Sequence, residues 1–284
     1  MRRNVELLIS CMGIQDYRIL DMTNVQSDVL IIDQCEEDDL LETVYRGFRI
    51  RHLKCSERGL SRSRNRAIAN AQGDIGLLCD DDERLVDGYP STIASAYQAL
   101  PDADIICFRI ENRPRRHLKP RVHRINKWTA MSVGSWMISM DIARIRQSEV
   151  RFDVLLGAGS GNGAGEENKF LRDCLKAGLK VYYVPDNIGR VGEYHLESGK
   201  PQGSSWFTTF DGEYFYRRGA TTRYILGLPV AIGDAFYYLA SHDEVTQGGM
   251  SRKQALHHSL RGVFENPIGK QARETPQGCT TIRD

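Results

Sequence analysis

Five short β-rich runs in the first half of the chain, the third alternating and the others near-continuously apolar, alternate with helical stretches and restrict its fold more than any other feature. They are Val5-Glu6-Leu7-Leu8-Ile9-Ser10, Asp28-Val29-Leu30-Ile31-Ile32-Asp33, Phe48-Arg49-Ile50-Arg51-His52-Leu53, Asp74-Ile75-Gly76-Leu77-Leu78-Cys79 and Asp104-Ile105-Ile106-Cys107-Phe108. Each has the length and composition of a strand. Between the third and the fourth, Ser61 to Ala71 reads as a helix with Ala67, Ile68 and Ala71 on one face, and Gly73 ends it. Val86 to Leu100 reads as another, stopped by Pro101. Strands apolar along their whole length are covered on both faces. Their alternation with helices predicts an α/β fold built on a mostly parallel sheet. A chain of 284 residues suits one large domain with an appendage.

The second half is less regular. Arg109 to Lys127 is polar and basic, holds Pro114 and Pro120, and reads as a long loop or hairpin. Gly134 to Met140 is expected as a strand, followed by a helix at Asp141 to Gln147. Gly157 to Gly165 is a glycine-rich loop. Glu166 to Ala177 is an amphipathic helix with Phe170, Leu171, Cys174 and Leu175 inward, and a strand over Leu179 to Val184 ends at Pro185. From about residue 203 the pattern is helical with aromatics up to Glu265, and Asn266 to Asp284 is polar and reads as a loose tail. The expected division is a main domain over 1–200, a helical extension over 201–265 and the tail over 266–284.

Charge and cysteine usage narrow the function classes. A net charge of +1 argues against broad nucleic-acid binding. Seven cysteines, an odd number without a C-x-x-C pair, read as reduced thiols rather than as a zinc site. The apolar run at Val5 is too short for a signal sequence. No stretch reaches the ~20 apolar residues of a membrane span. The longest candidate, Tyr224 to Ala240, contains Asp234 and is broken by Gly227, Pro229 and Gly233. The chain is therefore expected in the cytoplasm, with room for peripheral attachment to the inner face of the cell membrane.

The chemistry concentrates in three segments. Asp80-Asp81-Asp82-Glu83 follows directly on an apolar strand, and open α/β sheets bind ligands beyond the carboxyl ends of their strands. Adjacent carboxylates repel one another, and a hard divalent ion sharing its shell with phosphates relieves this. The other reading is a solvated acidic turn with Asp82 capping the next helix. Upstream, Arg62, Arg64 and Arg66 cannot all face one way on a helix. Arginine suits bidentate phosphate contact, and Arg62 is the one we assign to it. Downstream, Gly163-Ala164-Gly165-Glu166-Glu167 opens a helix. Carboxylates there are favoured by the helix dipole, and one so placed can also act as a general base.

In this order, Arg58-Gly59-Leu60-Ser61-Arg62-Ser63-Arg64-Asn65, Ala71-Gln72-Gly73-Asp74, Asp80-Asp81-Asp82, Phe152-Asp153 and Gly165-Glu166-Glu167 resemble a family 2 glycosyltransferase of the GT-A fold. The resemblance covers roughly residues 4 to 195. Within that family the chain resembles bacterial capsule and exopolysaccharide glycosyltransferases. It implies that Asp80 and Asp82 form a D-x-D motif, with Asp82 the direct ligand of Mn²⁺ or Mg²⁺ and Asp80 nearer the donor's ribose or sugar. It places Asp33 at the nucleotide base. It also puts Glu167 at the catalytic base, with Glu in place of the usual Asp, so Glu166 stays a candidate. His195 stands where some relatives carry a further metal or diphosphate ligand. Two segments depart from the family. Ser10-Cys11-Met12-Gly13 replaces Pro-x-Tyr-Asn after the first strand, and Asp33-Gln34-Cys35-Glu36 replaces Asp-Asp-Gly-Ser after the second.

The implied activity is inverting transfer of a sugar from a nucleotide-sugar donor, a UDP-sugar by preference, to a hydroxyl of a glycan or lipid-linked acceptor in cell-surface polysaccharide synthesis. Two other functions stay open. One is a non-catalytic nucleotide-sugar-binding protein on a degenerate GT-A scaffold. The other is a metal-dependent nucleotidyltransferase, for which Cys11-Met12-Gly13 makes a poor phosphate loop. The basic stretch Arg113, Arg115, Arg116, His117, Lys119, Arg121, His123, Arg124 and Lys127 reads as a solvated loop, a site for a lipid-linked diphosphate or a contact with an anionic membrane. Trp206, Phe207, Phe210, Tyr214, Phe215 and Tyr216 supply aromatics for a core, an acceptor groove or a membrane interface.

Overall fold

The structure, a computed structural model, describes residues 3–115, 117–192, 210–241 and 249–274. The chain divides into two compact units: Met1–Val154 with Glu166–Gln202, and Leu155–Gly165 with Gly203–Asp284. In chain order the first unit contains β1 (Val5–Cys11), α1 (Arg18–Met22), β2 (Asp28–Gln34), β3 (Asp39–Tyr45), β4 (Phe48–Cys55), α2 (Leu60–Asn70), β5 (Ile75–Asp80), β6 (Glu83–Leu85) and α3 (Tyr89–Ala99). It continues with β7 (Ile105–Ile110), β8 (His123–Arg124), β9 (Ile138–Asp141), α4 (Ile142–Ser148), α5 (Glu166–Lys176) and β10 (Val181–Val191).

Among the described residues these strands form one sheet in the order β3-β4-β2-β1-β5-β9-β7-β10-β6, with β8 also paired to β10. Strands β4, β2, β1 and β5 run parallel, as do β7 and β10. Strand β9 lies antiparallel between β5 and β7. The α/β reading therefore holds, and the five β-rich runs become β1, β2, β4, β5 and β7. The sheet buries Leu7, Ile9, Ile31, Leu77 and Ile106 completely.

Several local expectations differ from the structure. Strand β3 was not foreseen. Its residues are mostly exposed, so no apolar period marks it. Its signal is the two-residue turn Arg46-Gly47, with φ of 49° and 88°, joining Tyr45 to Phe48. The strand expected at Gly134 to Met140 begins only at Ile138, after a 3₁₀ turn over Ser135–Met137. The acidic run is followed by strand β6, and α3 starts beyond it with Gly88 at its N-cap, so Asp82 caps no helix. Strand β10 runs through Pro185, where the ladder with β7 shifts register between Val184 and Asn187.

The second unit is helical: α6 (Gly212–Leu226), α7 (Leu228–Ser241), α8 (Arg252–Glu265) and α9 (Pro267–Glu274). The stretch read as a loose tail thus opens with α9. Asp211 caps α6 by accepting from the Tyr214 amide at 2.9 Å. Helices α6 and α8 meet backbone to backbone. A Cβ added at Gly219 would lie 2.0 Å from the Ser259 carbonyl oxygen, and one at Gly262 would lie 2.0 Å from that of Tyr216. Phe215 and Ala255 are fully buried in this contact region. No described helix is long and apolar enough to cross a membrane.

A buried charge ties the first strand to the loop before β5. Glu6 is 1% exposed. One oxygen accepts from Arg51 at 2.8 Å, and the other accepts the Gln72 and Gly73 amides at 2.5 and 2.8 Å. Gly73 is required by close approach, since a Cβ there would sit 2.6 Å from that of Glu6. Glu6→Gln leaves the Arg51 guanidinium buried beside a neutral amide. It is expected to destabilise the first unit by about 3 kcal/mol in urea unfolding. Gly262→Ala is expected to cost at least ~2 kcal/mol, because backbone rather than a side chain must give way.

Candidate functional site

The carboxyl ends of β1, β2, β4 and β5 lie side by side, and they carry Asp33 and Asp80 with their partners His52 and Arg64. On the β2 side, Asp33 is 1% exposed. Its Oδ1 accepts the Gly13 amide at 2.5 Å and its Oδ2 pairs with His52 Nε2 at 3.2 Å. The other ring nitrogen of His52 meets the Tyr17 hydroxyl at 3.2 Å. Burial alone would raise the Asp33 pKa. The bond to His52 and the amides of Gly13 and Ile14 outweigh it and hold the carboxyl below its usual range. Cys11 packs against the same group. Burial, then the charges of Asp33 and Asp81, push its thiol well up, so it is an inert packing group.

The centre of the site is Arg64 on α2, 1% exposed. It donates to Asp80 at 2.9 and 3.2 Å and to Glu166 Oε1 at 2.9 Å. Its guanidinium lies 5.6 Å from the Phe152 ring centroid, and that ring stacks on Phe170 at 4.2 Å. Burial works against the charge, but Asp80, Glu166 and Glu167 outweigh it and hold Arg64 above its ordinary value. The rest of the motif serves this placement. Ser63 Oγ bonds Ser10 Oγ at 2.9 Å, so α2 is fixed to the end of β1. The Asn65 amide bonds both the amide and the carbonyl of Phe152, at 2.8 and 2.9 Å. Ser135 Oγ, just before β9, bonds Asp80 Oδ2 at 3.1 Å.

The remaining carboxyls have less support. Glu83 is 3% exposed; its Oε1 accepts the Asp80 amide at 2.9 Å, and its Oε2 is buried without a partner. Burial, then the charge of Asp80, push its pKa well up. Glu167, in the first turn of α5, is partly buried with Oε2 out of solvent and unpartnered. Burial and then the charge of Glu166 push its pKa up to about 8. Glu166 Oε2 is likewise buried and unpartnered.

The structure brings Asp80, Glu166 and Glu167 together around Arg64. Asp82 belongs to the same rim; its carbonyl accepts the Gly192 amide at 3.0 Å. Arg62 does not join them: it is exposed and paired with Glu57 at 2.9 Å. Its neighbour Arg64 holds the position at Asp80. His195 lies outside the described residues. Among the described residues no three His, Cys, Asp or Glu side chains gather into a closed cation site. Asp80 and Asp82 offer hard oxygens at one strand end. That donor set fits a Mg²⁺ or Mn²⁺ ion sharing its shell with phosphate, since such ions take only one or two protein carboxylates. Arg64 and Glu83 stood in the segments singled out but were given no role, and Ser135 was not foreseen.

The Glu167 shift has a sign for stability. Its folded value of about 8 lies above the ordinary 4.5, so folding takes up a proton between the two. The stability contributed by the neutral acid is complete below pH 4.5 and is lost as pH rises to about 8. Glu83 acts with the same sign. In metal-free buffer, wild-type unfolding free energy is expected to fall from pH 5 to pH 8. Glu167→Gln should reduce that fall by about 2 kcal/mol, measured by urea titration at each pH.

The sequence profile of glycosyl transferase family 2 matches residues 17–159, half of the chain. No curated protein matches the sequence. Among solved structures, residues 1–349 of S. aureus TarS superpose with a TM-score of 0.55 at 9% identity, over 95% of this chain and 91% of that one. The same fragment in complex with UDP-GlcNAc gives 0.55 at 13% identity, over 96% and 76%. Its complex with UDP gives 0.52 at 10%, over 95% and 91%. At such identities the likeness is one of fold, and the family assignment rests on the profile. The chain belongs to glycosyl transferase family 2 and has the GT-A fold.

Proposed function

We propose that this glycosyltransferase moves a sugar from a nucleotide-sugar donor, a UDP-sugar, to a hydroxyl of a glycan or lipid-linked acceptor, with inversion at the anomeric carbon. The observation that carries the reading is the gathering of Asp80, Glu166 and Glu167 around the buried Arg64 at the carboxyl end of β5. The fold shared with TarS, whose structures include complexes with UDP-GlcNAc and with UDP, supports the choice of donor.

In this reading the nucleotide lies over the ends of β1 and β2 with its base toward Asp33. Asp80 and Asp82 act as a D-x-D pair that holds Mn²⁺ or Mg²⁺ together with the donor diphosphate, and His195 is a further candidate ligand. Such an ion, when bound, neutralises charge on the departing nucleoside diphosphate. Arg64 keeps Asp80 oriented and occupies Glu166 Oε1, which supports Glu167 rather than Glu166 as the base. Glu167 takes the acceptor proton while the hydroxyl oxygen bonds to the anomeric carbon and the bond to the diphosphate breaks on the opposite face. Residues 1–200 supply the catalytic domain, and the helical extension over 201–265 serves the acceptor or a membrane surface. The pathway is cell-surface polysaccharide synthesis, of capsule or exopolysaccharide type.

Incubation with a panel of nucleotide sugars and Mn²⁺ is expected to release nucleoside diphosphate from a UDP-sugar. Asp82→Ala and Glu167→Gln should each reduce release at least ~100-fold, and chelation by EDTA should match Asp82→Ala. Binding of the nucleotide sugar without release would instead indicate a degenerate scaffold. Pyrophosphate formed from a nucleoside triphosphate would indicate a nucleotidyltransferase.

A further inference from the structure

A second set of unpartnered polar groups, a guanidinium that Glu167 attracts and the indole beneath it, is made of donors. The chain after β7 is pinned to the end of β10, because the Asn112 side chain bonds the Val191 carbonyl at 2.6 Å and the Val191 amide at 3.1 Å. From that anchor two arginines of the following loop reach the site. Arg113 reaches Gly192, where an added Cβ would stand 3.4 Å from its Nη2. Gly192 is the residue that donates to the Asp82 carbonyl. Arg115 packs on the turn before β9. Its guanidinium carbon lies 5.4 Å from the Trp136 ring centroid, and Glu167 is the charge that most strongly attracts it. Trp136 follows Ser135, the residue that bonds Asp80.

Three of these side chains hold one polar atom each that is out of water and unused. Arg115 Nε and Trp136 Nε1 are both buried without a hydrogen-bond partner, as is Glu167 Oε2. A buried donor left unpaired is costly, so two of them on side chains packed against each other point to a ligand that completes both. Burial also depresses the Arg115 pKa. An anion set against the guanidinium would remove that penalty. A solvated basic loop would leave every guanidinium nitrogen in water, and the Nε of Arg115 is buried.

We propose that Arg115 and Trp136 form the acceptor subsite beside Glu167, and that it takes an acceptor carrying an anionic group, a phosphate or a carboxylate, next to the attacking hydroxyl. This rests on Glu167 being the base. The anion sits against the Arg115 guanidinium, the indole N–H donates to the same group, and the neighbouring hydroxyl is left within reach of Glu167. Arg113, on the Asp82 side, adds charge toward the donor diphosphate.

Calorimetric titration of the full chain, with Mn²⁺ and UDP present, tests the subsite. The probes are glycerol 1-phosphate, methyl glucuronide and neutral glycerol. Both anions, or one of them, are expected to bind where glycerol does not, and the tighter arm names the anion. Arg115→Gln should weaken that binding at least tenfold and leave UDP affinity within twofold. Arg115→Lys, which keeps the charge, should recover part of the loss and shows that the site still folds. Anion binding that Arg115→Gln leaves unchanged overturns the proposal, and so does its absence from the wild-type chain. An equal loss of UDP affinity also overturns it, by assigning Arg115 to the donor. If UDP fails to bind while the Arg115-dependent anion binding persists, the subsite stands and the donor reading falls.

Discussion

A guanidinium sealed from water cannot stand without compensating charge, and that requirement organises the site. Arg64 has only 1% of its surface exposed, yet it holds a carboxylate from the end of β5 and another from the start of α5. These segments lie far apart in sequence and share no strand. The attraction fixes where the α5 N-terminus sits relative to the sheet, and so fixes Glu167 one residue on. Removing the charge would leave Asp80 and Glu166 facing one another in a medium that screens them poorly. Asn65 and Ser63 secure the same helix to Phe152 and Ser10, so the backbone that carries Arg64 has little freedom to follow a change.

Much of this was legible in the sequence. The continuous apolar runs gave the parallel strands, because a strand buried on both faces has no polar alternation to hide it. The acidic run marked the carboxyl end of β5. Phosphate contact was assigned to Arg62, which is exposed, whereas the burial of Arg64 at Asp80 was passed over although the information was present. Arg64 stands three and four residues before Ala67 and Ile68, on the face that α2 buries. A charged residue in phase with the apolar face has a buried partner, and that was a stronger cue than arginine's suitability for phosphate.

The rest was illegible for physical reasons. Ser135 and Trp136 reach the site from a 3₁₀ turn before β9, and nothing local in Gly134 to Met140 announces either the turn or the contact with Asp80. Strand β3 forms on the strength of its turn and its partner rather than burial. Pro185 was read as a terminator, but a strand with shifting register accepts proline where no ladder bond is required. Helix α9 begins with Pro267 as its first residue, a position where proline's missing N–H costs nothing.

Strand β9 carries one more consequence. A parallel strand offers the ligand rim only its last residues, so Asp33 and Asp80 arrive there as the ends of β2 and β5. An antiparallel strand in the same sheet offers its first residues instead, and the segment leading into it hangs over the rim from the opposite direction. The wall made of Ser135, Trp136 and the arginine loop is therefore built from connections between β7 and β9, while the opposite wall is built from β1 to β5. Two walls made of separate stretches of chain can diverge separately. Under the proposed acceptor subsite, a lineage can exchange what it accepts by rewriting the wall between β7 and β9 and keep what it donates untouched.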